Sequence, residues 1–196
     1  MQIAPRLEAR AGRGAEALAR GLAYFGGAVL VGLALMTLVS ILGRWINTGP
    51  IRAITGDYEL VEAGVAIAVF AFLPWCQLRR GHVTVDIFTN ALPGRGRSVT
   101  AWLGDVLITL AAFVVMWRFY LGFGEKFPFF SEAWRDRLAM GFKPFFPETT
   151  YELEIPIWIP YGLALLGAVA FFLVSLYTVW RGWNRLAAGH AVEQEA

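Results

Sequence analysis

Apolar residues dominate four long stretches, residues 21–43, 59–78, 98–117 and 157–180, and polar residues gather between them. A helix rises 1.5 Å per residue, so about 20 apolar residues cross the hydrocarbon core of a bilayer. Each stretch reaches or nearly reaches that length. Isolated strands cannot span lipid, because their backbone groups would stay unpaired, so the stretches are predicted as helices. The predicted fold class is therefore an all-α membrane protein, a single bundle of four transmembrane helices over residues 21–180. A polar leader at 1–20 and a polar tail at 181–196 flank it.

Two connections carry patterns of their own. Val83, Ile87, Phe88, Ala91 and Leu92 repeat at helical spacing and end at Pro93-Gly94, which predicts a short amphipathic helix lying in the interface after helix two. The alternation of Val83, Val85 and Ile87 also fits a strand, but an unpaired strand edge is disfavoured beside a membrane. The long third connection, residues 119–156, interleaves Phe127, Phe129, Phe130, Trp134, Phe142, Phe145 and Phe146 with charges. It reads as an interfacial or partner-facing elaboration. The leader is expected to form a short amphipathic turn through Leu7, Ala11 and Leu18, or to be disordered. The apolar run behind it is too long for a signal-peptide core, and Arg44 follows without a clear cleavage site, so the first helix is read as retained.

Composition agrees with a membrane chain. Of the 196 residues 57% are hydrophobic and 16% charged, with a mean hydropathy of +0.54, where a soluble domain carries about 25% charged residues. The one cysteine, Cys76, lies inside an apolar run and excludes a disulfide framework or a cysteine-rich metal site. A formal net charge of +2 is too small to argue for nucleic acid. The placement of basic residues says more. Arg6, Arg10, Arg13 and Arg20 in the leader, Arg79, Arg80, Arg95 and Arg97 in the second connection, and Arg181 and Arg185 in the tail share one side of a four-crossing chain. The other side has Arg44 and Arg52, and a third connection whose basic residues are offset by carboxylates. Both termini are expected to be cytoplasmic.

Charge within the spans needs a reason, because it is costly in lipid. Glu59 and Glu62 are three residues apart, on one face of helix two near its start. Asp57 or Gly56 would cap that helix, and Glu59 then interacts favourably with the helix N-terminus. An Arg44–Glu62 pair locking helices one and two is the specific expectation for the deeper carboxylate. Asp105, about two turns into helix three, is either a functional group or the partner of the Arg80–His82 end of helix two. His82 and Asp86 are four apart and within reach of each other. Pro74 removes a backbone bond inside helix two, and so kinks it or frees the carbonyl of Phe70. Tryptophans at the span ends form an aromatic belt. Gly26, Gly27, Gly32 and Ala34 are expected to allow close helix approach.

Several chemistries are missing. There is no nucleotide-binding loop, no histidine–carboxylate metal cluster, and no serine or cysteine beside a plausible base. Two histidines do not make a haem or metal site. The spans offer too few polar positions for a pore, and no internal repeat relates the two halves. Against this background the stretch GDYELVEAGVAIAVFAFLPWCQLRRGHVTVDIFTNALP resembles the signature region of the small membrane (DctQ-like) subunit of tripartite ATP-independent periplasmic (TRAP) transporters. The matching positions are Gly56, Glu59, Glu62, Phe72, Pro74, Gln77, Gly81, His82, Val83, Asp86 and Leu92-Pro93. Arg44 closing helix one and the stretch Leu153-Glu154-Ile155-Pro156-Ile157-Trp158 opening helix four are also similar to that family.

The resemblance implies a non-enzymatic role without a cofactor. In such systems a periplasmic solute-binding protein delivers an organic acid to a large permease subunit, which moves it by sodium-coupled elevator motion. The small subunit is expected to pack beside the large one in the bilayer, to bind no substrate alone, and to help dock the binding protein. Arg44, Glu59, Glu62, Pro74, Gln77, Arg80, Gly81, His82, Asp86 and Asp105 are then candidates for structure or for the partner interface. The polar tail HAVEQEA is expected to make the chain a separate subunit rather than part of a fused permease. Two other readings stay open at this point: a self-contained small channel or transporter, and the membrane subunit of a quinone- or haem-dependent redox enzyme with His82 and Asp105 near the cofactor.

Overall fold

A computed structural model describes residues 5–46, 54–81 and 94–188. Within them the chain forms four long helices and one short one: α1 (Pro5–Ile46), α2 (Asp57–Leu78), α3 (Gly94–Lys126), α4 (Glu132–Arg137) and α5 (Trp158–Ala187). All four long helices are apolar and long enough to cross a membrane. The expected interfacial helix at 83–92, with His82 and Asp86, lies outside the described residues.

Three helices outrun their apolar stretches. The leader is a continuation of α1 from Pro5, not a short turn or a disordered segment. Its Ala, Leu, Arg and Glu residues are good helix formers. Glu8 lies in the first turn, and Arg20 pairs with Glu16 one turn earlier at 2.6 Å. The extension also has something to pack on, because α5 runs past residue 180 to Ala187. There Asn184 donates to Glu8 at 2.5 Å, and Ala19 is buried with Leu78 and Val174. The third long helix, α3, continues beyond Trp117 to Lys126.

The α5 helix is the hub. It packs against α1, α2 and α3, and α1 packs against α2. Its buried positions are mostly small, among them Ala164, Gly167, Ala168, Ala170, Ser175 and Gly182. Lipid tails are as apolar as leucine, so helices in a bilayer associate through close packing and interhelical hydrogen bonds. Small residues on α5 permit that approach. At Gly167 a Cβ would lie 2.8 Å from both the Cβ and the carbonyl oxygen of Phe70. Pro74 leaves this carbonyl without its intrahelical donor. The helix continues through Pro74, which is buried, and the freed carbonyl is covered by the α5 backbone.

The small residues expected to pack α1 behave differently from one another. Gly26 faces α2, where a Cβ would sit 3.2 Å from the Ala68 carbonyl and from the Ala71 Cβ. Gly27 and Gly32 have nothing within 4 Å of a Cβ, and Ala34 is exposed. A helix rotates 100° per residue, so one glycine of an adjacent pair faces the neighbour while the other faces away.

Candidate functional site

Polar contacts collect at the two ends of the bundle. At the end where α1 finishes and α2 begins, here the loop end, Asp57 is the organising carboxylate. Buried Ser40 donates to its Oδ2 at 2.5 Å, and Arg44 forms an ion pair with the same oxygen. The Ser40 hydroxyl also accepts the N–H of Ile54 at 3.2 Å. The expected Arg44–Glu62 pair is not formed. Asp57 opens α2 and lies within reach of the last turn of α1, whereas Glu62 is more than a turn further along and is exposed.

Glu59 does something that its spacing did not announce. Its two oxygens accept the N–H groups of Glu152 (2.7 Å) and Leu153 (3.1 Å), more than 90 residues away in sequence. Those residues sit in a tight turn closed by an isolated antiparallel bridge between Thr149 and Pro156. Glu152 reciprocates by accepting the N–H of Gly56 at 2.6 Å. Gly56 has φ 74°, and a Cβ there would collide with the Leu153 side chain at 2.3 Å. Glycine is needed both for the left-handed backbone and for the contact. The start of α2 and the segment leading into α5 are thus clipped together by two carboxylates, each accepting from backbone N–H groups of the opposite segment.

Glu62 lines an open groove of about 490 Å³ at this end, with Glu59, Phe119, Tyr151 and Tyr161. It makes no ion pair among the described residues. Across the same end Lys126 bonds Glu148 at 2.5 Å and lies 5.7 Å from the centre of the Tyr161 ring.

At the terminal end, where α1 starts and α5 finishes, Arg80 and Asp105 pair at 3.0 Å, joining the end of α2 to α3. Arg80 has φ 51°, and the N–H of Gly81 closes the turn on the Cys76 carbonyl at 2.8 Å. One turn deeper Gln77 donates to Thr178 of α5 at 2.9 Å inside the bundle. Trp102 donates to the Val179 carbonyl at 3.2 Å, tying α3 to α5. Arg79 stacks over Trp75, 4.7 Å from the ring centre. No group of three or more His, Cys, Asp and Glu able to hold a metal ion occurs among the described residues.

Arg135 went unnoticed in the sequence. It is 1% exposed, and its guanidinium donates only to backbone carbonyls. The acceptors are Gly141 (3.1 Å), Phe127 (2.5 Å), Gly124 (2.6 Å), Met140 (3.2 Å) and Phe142 (2.9 Å). The sequence offered the charge count of this connection but nothing to separate Arg135 from the exposed Arg137 beside it. Glu152 and Thr178 were missed for a similar reason, since each works through a contact distant in sequence.

Among the described residues no catalytic constellation emerges. The geometry is a set of clips that fix four helices in register, with an open groove beside Glu62. The family model for the DctQ component of tripartite ATP-independent periplasmic transporters matches residues 33–185, from mid-α1 to the last turn of α5. The chain belongs to the DctQ family. It is therefore the small permease component of a TRAP transporter, a multi-pass inner-membrane protein from a transporter rather than an enzyme family. DctQ proteins work with a large permease and a binding protein. No curated protein and no solved structure matches the chain.

Proposed function

We propose that this DctQ chain is the scaffold for a large permease subunit in sodium-coupled, binding-protein-dependent uptake of organic acids, with both termini in the cytoplasm. The observation that carries the reading is the lateral groove beside Glu62, about 490 Å³ in volume. An exposed carboxylate more than one turn into a membrane-spanning helix is costly without a partner, and the open groove beside it leaves room for one. A helix of the large subunit bearing a basic residue fits both the shape and the charge. The clips at Asp57, Glu59 and Asp105 then belong to this chain's own architecture and hold the docking face in register. Binding and movement of the substrate then belong to the other subunits.

Co-expression with the large subunit and purification in mild detergent test this. A stable one-to-one complex is expected, and Glu62→Lys lowers its yield while leaving the isolated chain folded. Recovery of the chain only as a monomer or homo-oligomer refutes the scaffold role. Sodium-driven solute uptake by vesicles holding this chain alone refutes it as well.

A further inference from the structure

The connection between α3 and α5 folds back along α3. The α3 helix ends at Lys126, yet the Leu138 carbonyl accepts the Tyr120 hydroxyl. Met140 meanwhile lies so close to Gly124 that a Cβ there would be 2.8 Å from the Met140 carbonyl. From residue 126 back to residue 120 is a descent of about 9 Å along the helix axis. Tyr120 lies near Trp117, with ring centres 6.4 Å apart, and Trp117 ends the apolar run of α3. Leu138 is therefore returned to the level of the aromatic belt.

Three side chains on the fold-back are apolar and exposed: Trp134 at 56%, Leu138 at 41% and Phe142 at 98%. The Arg135 cage grips the carbonyls of Gly124 on α3 and of Phe142, and so holds the fold-back against the end of α3. We propose that residues 132–142 form a shelf whose Trp134, Leu138 and Phe142 side chains insert into the headgroup–acyl boundary of the bilayer. Aromatic rings with a polar rim are favoured at that depth. The exposed carboxylates on the shelf, Glu132 and Asp136, are balanced by Arg137 together with Lys143 just beyond it. Such a rim suits zwitterionic headgroups and needs no anionic lipid. The partner is the lipid surface itself, so the proposal stands independently of the large subunit.

The full chain in phosphatidylcholine vesicles gives the test. With Cys76 replaced by Ser, a fluorescent label is placed at Leu138→Cys or Phe142→Cys. The references are Leu107→Cys in mid-span and Arg10→Cys before the first apolar run. Brominated lipid is expected to quench labels at 138 and 142 at least about half as strongly as at 107, and aqueous iodide to quench them far less than at 10. As a check without labelling, Trp134→Phe lowers the lipid-quenchable share of tryptophan fluorescence. Labels at 138 and 142 that behave like position 10 overturn the proposal. So does lipid quenching that vanishes when the large subunit is bound, which makes the shelf a protein-docking surface instead.

Discussion

Replacing Arg135 by Met should open the α3–α5 connection while leaving the membrane helices intact. The side chain donates to five carbonyls. Its Nη2 has only two hydrogens for the oxygens of Gly124, Met140 and Phe142, so about four bonds act at full strength. A hydrogen bond from a charged donor contributes about 1.5–3 kcal/mol, and a buried carbonyl stripped of its donor costs about 1–3 kcal/mol. Against this, the substitution relieves the desolvation of a buried cation, itself several kcal/mol. The opposing effects leave a net loss of about 2–4 kcal/mol, which is a roughly 30- to 700-fold rise in the opening equilibrium of the segment.

Hydrogen exchange followed by mass spectrometry on peptides covering residues 127–146 reads this directly. The Leu138 and Met140 amides, bonded to the carbonyls of Trp134 and Arg135, are the reporters. They should lose protection by that factor, while α2 and α5 amides are unchanged. Arg135→Lys should fall between, because an ammonium keeps the charge but cannot reach several carbonyls from one point. Two results refute the reasoning. One is exchange in Arg135→Met within about threefold of the parent; the other is loss of protection throughout the four long helices, which would make the cage part of the global fold.

Three further outcomes are expected. Gly167→Ala places a methyl 2.8 Å from Phe70 and forces α2 and α5 apart, costing about 1–3 kcal/mol; a lowered melting temperature in detergent checks it, with Gly32→Ala neutral as the control. Glu59→Ala strands the N–H groups of Glu152 and Leu153, so their amides should exchange faster than in the parent while residues 127–146 are unaffected. Asp105→Ala removes the partner of Arg80, an ion pair with the Arg80 side chain 31% exposed; discounted for that exposure, the loss is about 1–3 kcal/mol. Asp105→Asn should retain solute uptake in the assembled transporter, and its abolition at normal protein levels would make Asp105 a functional carboxylate.

How much of this was legible in the sequence depends on the distance over which each contact acts. The four spans were legible because length and hydropathy are local properties. The ends of α2 were close to their expected place, but the other three helices run past their apolar stretches, as α3 does beyond Trp117 and α5 beyond Trp180. The Arg80–Asp105 pair was within reach of sequence reasoning, since two charges placed at one end of adjacent spans have few other partners. Arg44 was correctly placed at the end of helix one but given the wrong carboxylate. Asp57 or Gly56 was expected as the cap; Gly56 takes that position, and the Asp57 side chain instead anchors Ser40 and Arg44. The reciprocal clip between Glu59 and Glu152 could not be inferred, because nothing in either segment states that a turn 90 residues later folds onto the start of α2. Arg135 was hidden for a different reason: its partners are backbone carbonyls, which leave no trace in the side-chain pattern.

The two mechanisms that hold the helices divide the bundle by depth. In the middle, small residues bring backbones together, as Gly167 does against Phe70 and Gly26 against Ala68. At both ends, carboxylates and a buried hydroxyl connect segments that the apolar middle only aligns. Shape alone would allow α2 to slide along α5 by a turn, since an alanine-rich surface repeats. The Glu59–Glu152 clip at one end and the Gln77–Thr178 bond near the other forbid it. With register fixed from within, α1 and α3 need touch the hub along only one stripe each. Their outward faces, including Leu35 and Val39 on α1 and Leu107 and Val114 on α3, stay exposed. In water such exposure would drive collapse or aggregation. In lipid it costs nothing, so an open arrangement with free lateral faces is stable there, and a second membrane protein can bind without this chain first giving up contacts of its own.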